Sequence, residues 1–81
     1  MKTKTGKVTV TWVANSPADR VAFYTVYQRV TTHYTPVAKV TANTAVITGL
    51  PKGVRAFFVV TAVNQDGIES APSSEVSKIV E

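Results

Sequence analysis

The sequence predicts an all-β domain, built as a sandwich or a barrel. Three observations carry this expectation. Valine and threonine dominate and no segment sustains a helical period; both residues favour pleated, half-buried positions. Short alternating runs are separated by regular turn signals, the pattern of sandwiches and barrels. The longest expected strand, Val54 to Asn64, closes on Gln65-Asp66-Gly67, where Asp-Gly tolerates the positive φ of a hairpin turn.

Taken in order, Lys7 to Val13 alternates, with Val8, Val10 and Trp12 on one face and Thr9, Thr11 and Val13 on the other. Asn15-Ser16-Pro17-Ala18-Asp19 breaks that strand with turn chemistry. The next strand runs from Val21 to Val30, with Ala22, Tyr24 and Val26 inward and Phe23, Thr25, Tyr27 and Arg29 outward. Thr31 to Tyr34 reads as a loop, and a shorter strand covers Pro36 to Thr41. Pro36 has no N–H for a ladder, so it fits a strand start or a sheet edge. Ala42-Asn43 turns the chain into a strand over Thr44 to Thr48, closed by Gly49-Leu50-Pro51-Lys52-Gly53. After the long Val54–Asn64 strand and its turn, the last strand begins beyond Pro72 and includes Val76 to Val80.

Eighty-one residues make one small domain. At 44 % hydrophobic and 17 % charged residues the chain has enough apolar surface for a core and too few charges for disorder. The absence of cysteine excludes disulfides and thiolate metal sites. The first seven residues, Met1-Lys2-Thr3-Lys4-Thr5-Gly6-Lys7, are basic but lack the apolar region of a signal peptide. No apolar run is long enough to span a bilayer as a helix. Neither a membrane nor a nucleic acid is expected as partner. The formal charge of +4 is scattered apart from Lys2, Lys4 and Lys7, whereas nucleic-acid binders show a dense basic stripe.

Catalytic chemistry has little to build on, so the expectation is a chain that is not an enzyme and holds no cofactor or metal. His33 is the single histidine and has no acid beside it in sequence. Asp19, Asp66, Glu69, Glu75 and Glu81 are few and dispersed, and Asp66 is explained as a turn former. Gly49 and Gly53 do not make a phosphate loop, because no helix follows.

Two surface signals remain. With Phe58, Val60 and Ala62 inward, Phe57, Val59 and Val63 point outward beside Phe23 and Tyr27. These five side chains are expected to form an exposed apolar patch for a protein partner. Phe23, Tyr27, Phe57 and Val59 are its candidate contact residues. The alternative is ordinary surface partly covered by the stems of Arg29, Lys39 and Arg55. The second signal is the opening strand, Lys7 to Val13, as an exposed sheet edge that invites pairing with a partner or with a second copy of the chain. Lys2, Lys4 and Lys7 beside it are expected to tether an acidic surface, or else to guard the edge.

Nearly the whole chain from Val8 resembles a fibronectin type III domain, a two-sheet antiparallel sandwich of the immunoglobulin-like class. Val8-Thr9-Val10-Thr11-Trp12 looks like the family's second strand, and Ser16 to Tyr27 is similar to its third, with Tyr24 and Val26 matching its tyrosine and valine. Ile47-Thr48-Gly49-Leu50 looks like the end of its fifth strand. Val60-Thr61-Ala62-Val63-Asn64, Gly67 and Glu69-Ser70-Ala71-Pro72-Ser73 look like its last hairpin, in wording close to the bacterial and phage-borne versions. The resemblance implies that Trp12 fills the centre of the core. It also implies that residues 1–6 are a basic tail or vestigial first strand ahead of a sandwich over 7–81. Ala56 stands where the family commonly has a bracing tyrosine, which implies a looser start to that strand.

For function the resemblance implies a non-enzymatic binding or structural module. The first expectation is a small phage virion protein, a head decoration or tail accessory. Such a protein is made in the host cytoplasm and docks on capsid or tail proteins. The alternative is a spacer or weak carbohydrate-contacting domain, fused to other domains in a secreted, extracellular bacterial polysaccharide-degrading enzyme or adhesin.

Overall fold

The alternation of threonine with valine in the first strand, β1 (Thr5–Thr11), sets the inside and outside of the molecule: Val8 and Val10 are buried, Thr9 and Thr11 exposed. The computed structural model describes residues 5–81. A 3-10 turn at Pro17–Asp19 leads into β2 (Val21–Val30). Then follow β3 (His33–Val40), β4 (Thr44–Pro51), β5 (Arg55–Asn64) and β6 (Val76–Ile79). β1 pairs with β4 in one sheet, and a second sheet has the order β3-β2-β5-β6. Every pairing is antiparallel, so the architecture is the expected two-sheet sandwich.

Both sheets send their inward rows into one core. Phe58, Val10 and Val26 are its largest fully buried side chains. Val8, Ala45 and Ile47 come from the small sheet, and Tyr24, Ala56, Val60 and Ala62 from the large one. Each fully buried Val or Phe contributes about 1.5–3 kcal/mol of transfer free energy, so these rows hold the two sheets together.

Several details depart from the sequence reading. Trp12 is not the centre of the core. It is half-buried at one end and packs edge-on against Tyr24 with ring centroids 5.4 Å apart. Its Nε1 is buried without a hydrogen-bond partner among the described residues. Phe58, with no exposed surface, takes the central place. Ala22 is exposed rather than inward, because a bulge between Val21 and Phe23 shifts the register against β5. His33 and Tyr34 belong to β3, not to a loop: Val30 pairs with His33, and Thr31-Thr32 alone make the turn. Thr31 holds that turn at φ 58°, a left-handed conformation that costs a β-branched residue energy. β4 continues past Thr48 to Pro51, and Thr5 and Gly6 already belong to β1, paired with Pro51 and Leu50. Ala56 is buried, and main-chain hydrogen bonds flank the start of β5. Gly53 N–H donates to Val80 C=O at 2.9 Å and Val80 N–H to Val54 C=O at 3.0 Å.

The β5 turn owes more to Asn64 than to Asp66. The Asn64 side-chain oxygen accepts from Asp66 N–H at 2.9 Å and from Ile68 N–H at 3.0 Å, while Gly67 supplies the positive φ of 82°. This is the side-chain capture of backbone donors by which asparagine builds turns.

Candidate functional site

The outward face of the large sheet was expected to be a bare apolar patch, and the fold brings its residues together but covers them. Val59 and Val63 are buried at 6 % and 9 % exposure, and Phe23, Tyr27 and Phe57 are half-buried. Lys39 lays its ammonium over the Phe23 ring, 4.6 Å from the centroid. The Arg29 guanidinium lies 4.5 Å from the centroid of Phe57. Cations above aromatic faces are held by the ring quadrupole while their stems shield apolar surface. Coverage by the Arg29 and Lys39 stems, the alternative open at the level of sequence, therefore describes this face better than an exposed patch does.

A polar network completes the cover. Glu75 accepts two hydrogen bonds from Arg29, at 2.9 Å from Nε and 3.2 Å from Nη2. It takes a third from the Tyr34 hydroxyl at 2.8 Å. Glu69 accepts from the Tyr27 hydroxyl and from Thr61 Oγ1, the latter at 2.6 Å. The guanidinium of Arg29 and then the Tyr34 hydroxyl hold the Glu75 carboxyl below the usual carboxylate range. Thr61 and then Tyr27 do the same for Glu69. Reciprocally, Glu69 raises the Tyr27 phenol and Glu75 raises the Tyr34 phenol. At neutral pH both carboxylates are thus ionised and both phenols are donors.

The segment between the β5 turn and β6 frames this network. Ser70 N–H donates to Ala62 C=O at 2.8 Å, and Ala62 N–H donates back to Ser70 Oγ at 2.9 Å. Ser73 repeats the pattern on Val60, at 2.8 and 2.9 Å. Serine hydroxyls here replace main-chain acceptors, so the segment runs along β5 although Pro72 cannot donate to a ladder. The result is a cleft of about 360 Å³ over Val59, walled by Tyr27, Tyr34 and Pro72 and rimmed by Glu69 and Glu75. In the sequence these two glutamates read as dispersed and Tyr34 as part of a loop. Their signal was the even spacing of Glu69 and Glu75 along an extended segment, which favours a common face.

The small sheet presents the other candidate. Trp12 N–H donates to Asn43 C=O at 3.0 Å, so the even-numbered residues of β1 turn their main chain toward β4. Odd-numbered residues therefore face the opposite edge. There Lys7 and Glu81 exchange hydrogen bonds of 3.0 and 3.3 Å. Beyond that contact, Thr9 and Thr11 offer their N–H and C=O groups with no main-chain partner on that edge among the described residues. Gly6 makes the contact with Glu81 sterically possible, since a Cβ there would collide with the Glu81 carbonyl oxygen. A groove of about 270 Å³ lies beside this edge, lined by Lys7, Val8, Thr9, Lys78, Ile79 and Glu81. The Lys7 side chain is exposed at its mouth; Lys2 and Lys4 lie outside the described residues.

His33 is exposed at the start of β3. No group of three or more His, Asp or Glu side chains is placed to hold a metal ion among the described residues. No helix among them is long and apolar enough to cross a membrane.

No known family profile matches the chain, and no curated protein matches it. Among solved structures the chain is similar to the twitchin kinase region from C. elegans (Fn31-NL-kin-CRD-Ig26), whose named parts include a fibronectin type III and an immunoglobulin domain. The likeness has a TM-score of 0.76 at 25 % identity and covers 93 % of this chain but only 14 % of that one. It supports a fibronectin type III or immunoglobulin-like β-sandwich.

Proposed function

We propose that this chain is a non-enzymatic module that attaches to a larger protein assembly by pairing the outer edge of β1 with a strand of its partner. The main chain of Thr9 and Thr11, open on that edge among the described residues, is the observation that carries this reading, because unpaired strand edges are templates for strand addition. The covered face around Phe23, Tyr27 and Phe57 is the weaker candidate for the same task, since its apolar area is already engaged internally.

A phage head decoration or tail accessory is the setting we favour, on the resemblance of Glu69-Ser70-Ala71-Pro72-Ser73 and its hairpin to the bacterial and phage-borne versions of the fold.

The test is the mass of the native complex. In an extract of producing cells the protein should run with a large assembly, far above its own 8.7 kDa. Thr9→Pro removes an outward N–H and should release it to the mass of a monomer without lowering its melting temperature by more than a few degrees, as edges tolerate proline. A wild-type chain that runs at monomer mass in that extract sinks the reading. So does a folded Thr9→Pro variant that still assembles.

A further inference from the structure

The cleft over Val59 is a built site that neither the fold nor the docking reading uses. Its two rim carboxylates differ. Glu75 is neutralised by the fork of Arg29. Glu69 is held only by two neutral hydroxyls, Tyr27 and Thr61. The ion pair of Arg29 with Glu75 is the only one among the described residues. The cleft therefore carries one fixed, uncompensated negative charge on a molecule whose formal charge is +4. Around that charge the surface is apolar: Val59 is buried at the floor, and Tyr27, Tyr34 and Pro72 form the walls.

From this we infer that the cleft binds a primary ammonium group on an apolar stem, the ammonium on Glu69 and the stem over Val59 between the two tyrosines. The chemistry follows from the parts. An ionised carboxylate favours a cation and rejects an anion. Tyrosine rings add attraction for a cation near their faces. A hydrocarbon stem gains from the apolar floor. Because the Tyr27 and Tyr34 hydroxyls already donate to the protein's own carboxylates, the walls have few free donors for a neutral polyol. A pocket near 360 Å³ is at the small end of ligand sites, in keeping with a single side chain or a short diamine. The same chemistry is found in a lysine of a partner polypeptide and in a free alkyl diamine.

The experiment is an NMR titration of the intact protein, following amide shifts of Tyr27, Val59, Thr61 and Glu69. The probes are Nα-acetyl-lysine methylamide and cadaverine; the controls are the Nε-acetylated lysine derivative and norleucine methylamide. The expected result is saturable shifts with at least one amine probe in the millimolar range and clearly weaker binding of both neutral controls. Saturation by the lysine derivative alone identifies a polypeptide lysine as the ligand, and saturation by cadaverine alone identifies a free amine. Glu69→Gln keeps an acceptor for Tyr27 and Thr61 but removes the charge, and should weaken amine binding about three- to fivefold, the scale of an exposed ion pair. The inference is overturned if neither amine shifts these resonances, if the neutral controls bind as well, or if folded Glu69→Gln binds unchanged. The neutral controls decide the matter in the wild-type protein even if the variant fails to fold.

Discussion

The two sheets of this sandwich share one core and treat their outsides in opposite ways. The small sheet, β1 and β4, shows solvent a row of threonines with Val46 and, among the described residues, leaves the β1 edge open at Thr9 and Thr11. The large sheet buries part of its outer face as well, with Val59, Val63, Thr25 and Thr61 all below one-tenth exposure. Its cover comes from its own long side chains, Tyr34, Arg29 and Lys39, together with Glu75 from the segment before β6. The difference teaches that an outward apolar row is no guide to a binding surface until the reach of its neighbours is known. A polar strand can be the better docking element, because its main chain rather than its side chains is unsatisfied.

The largest effect is expected at the core the two sheets share. Phe58→Ala should cost about 3–5 kcal/mol, and both sheets should melt in one transition under urea. Trp12→Ala should cost less than Phe58→Ala, because Trp12 is only half-buried at the end of the core. The reverse ranking would restore Trp12 to the centre.

Next come changes that act on one sheet. Ser70→Ala and Ser73→Ala each remove the hydroxyl that accepts from a main-chain N–H of β5, at about 1–3 kcal/mol apiece. Hydrogen exchange should accelerate at Ala62 and Val60 and stay slow at Val8 and Val10. Uniform acceleration would mean the two sheets do not open separately. Gly6→Ala is the counterpart in the small sheet. Its Cβ must push Glu81 away, costing about 1–3 kcal/mol as overpacking does. Exchange should quicken at Lys7 and Glu81 while the Ser70 and Ser73 contacts hold.

A smaller effect of opposite sign is expected at the β2–β3 turn. Thr31 is left-handed at φ 58°, so Thr31→Gly should stabilise by about 0.5–1 kcal/mol, relief of strain exceeding the added chain entropy. A lower melting temperature would contradict the strain.

The smallest effect is the pH dependence of the covered face. Glu69 and Glu75 titrate below their ordinary range when folded. Their contribution is present in full above the unfolded value of about 4.3 and is lost as pH falls through the folded values. Tyr27 and Tyr34 are raised, so their contribution is full below about 10 and is lost as pH climbs through the folded values. Denaturation curves of the Glu69→Gln, Glu75→Gln double variant should lose part of the acid dependence; an unchanged acid limb would show the network to be idle.

Much of the fold was legible because its signals are local. The alternation in Val8-Thr9-Val10-Thr11 and the placement of Phe58, Val60 and Ala62 inward follow from a period of two. The Asn64–Gly67 turn is written in residues that tolerate or build it. The burial of Val59 was not legible, since its cover includes a tyrosine and a glutamate 41 residues apart that meet over the sheet. The exposure of Ala22 depends on a bulge in its pairing with β5, and Ala22-Phe23-Tyr24 carries no local mark of one.

Periodicity and turn chemistry act over a few residues, so the all-β class, the succession of strands along the chain, most of the inward rows and most of the turns can be read locally. Tertiary packing alone settles which surface is open. It placed Glu81 against Lys7, left Thr9 and Thr11 unpaired on that edge among the described residues, and folded Tyr34, Arg29 and Glu75 over the opposite sheet. Those outcomes depend on contacts between residues distant in the chain, and no local pattern encodes which long side chain will reach which neighbour.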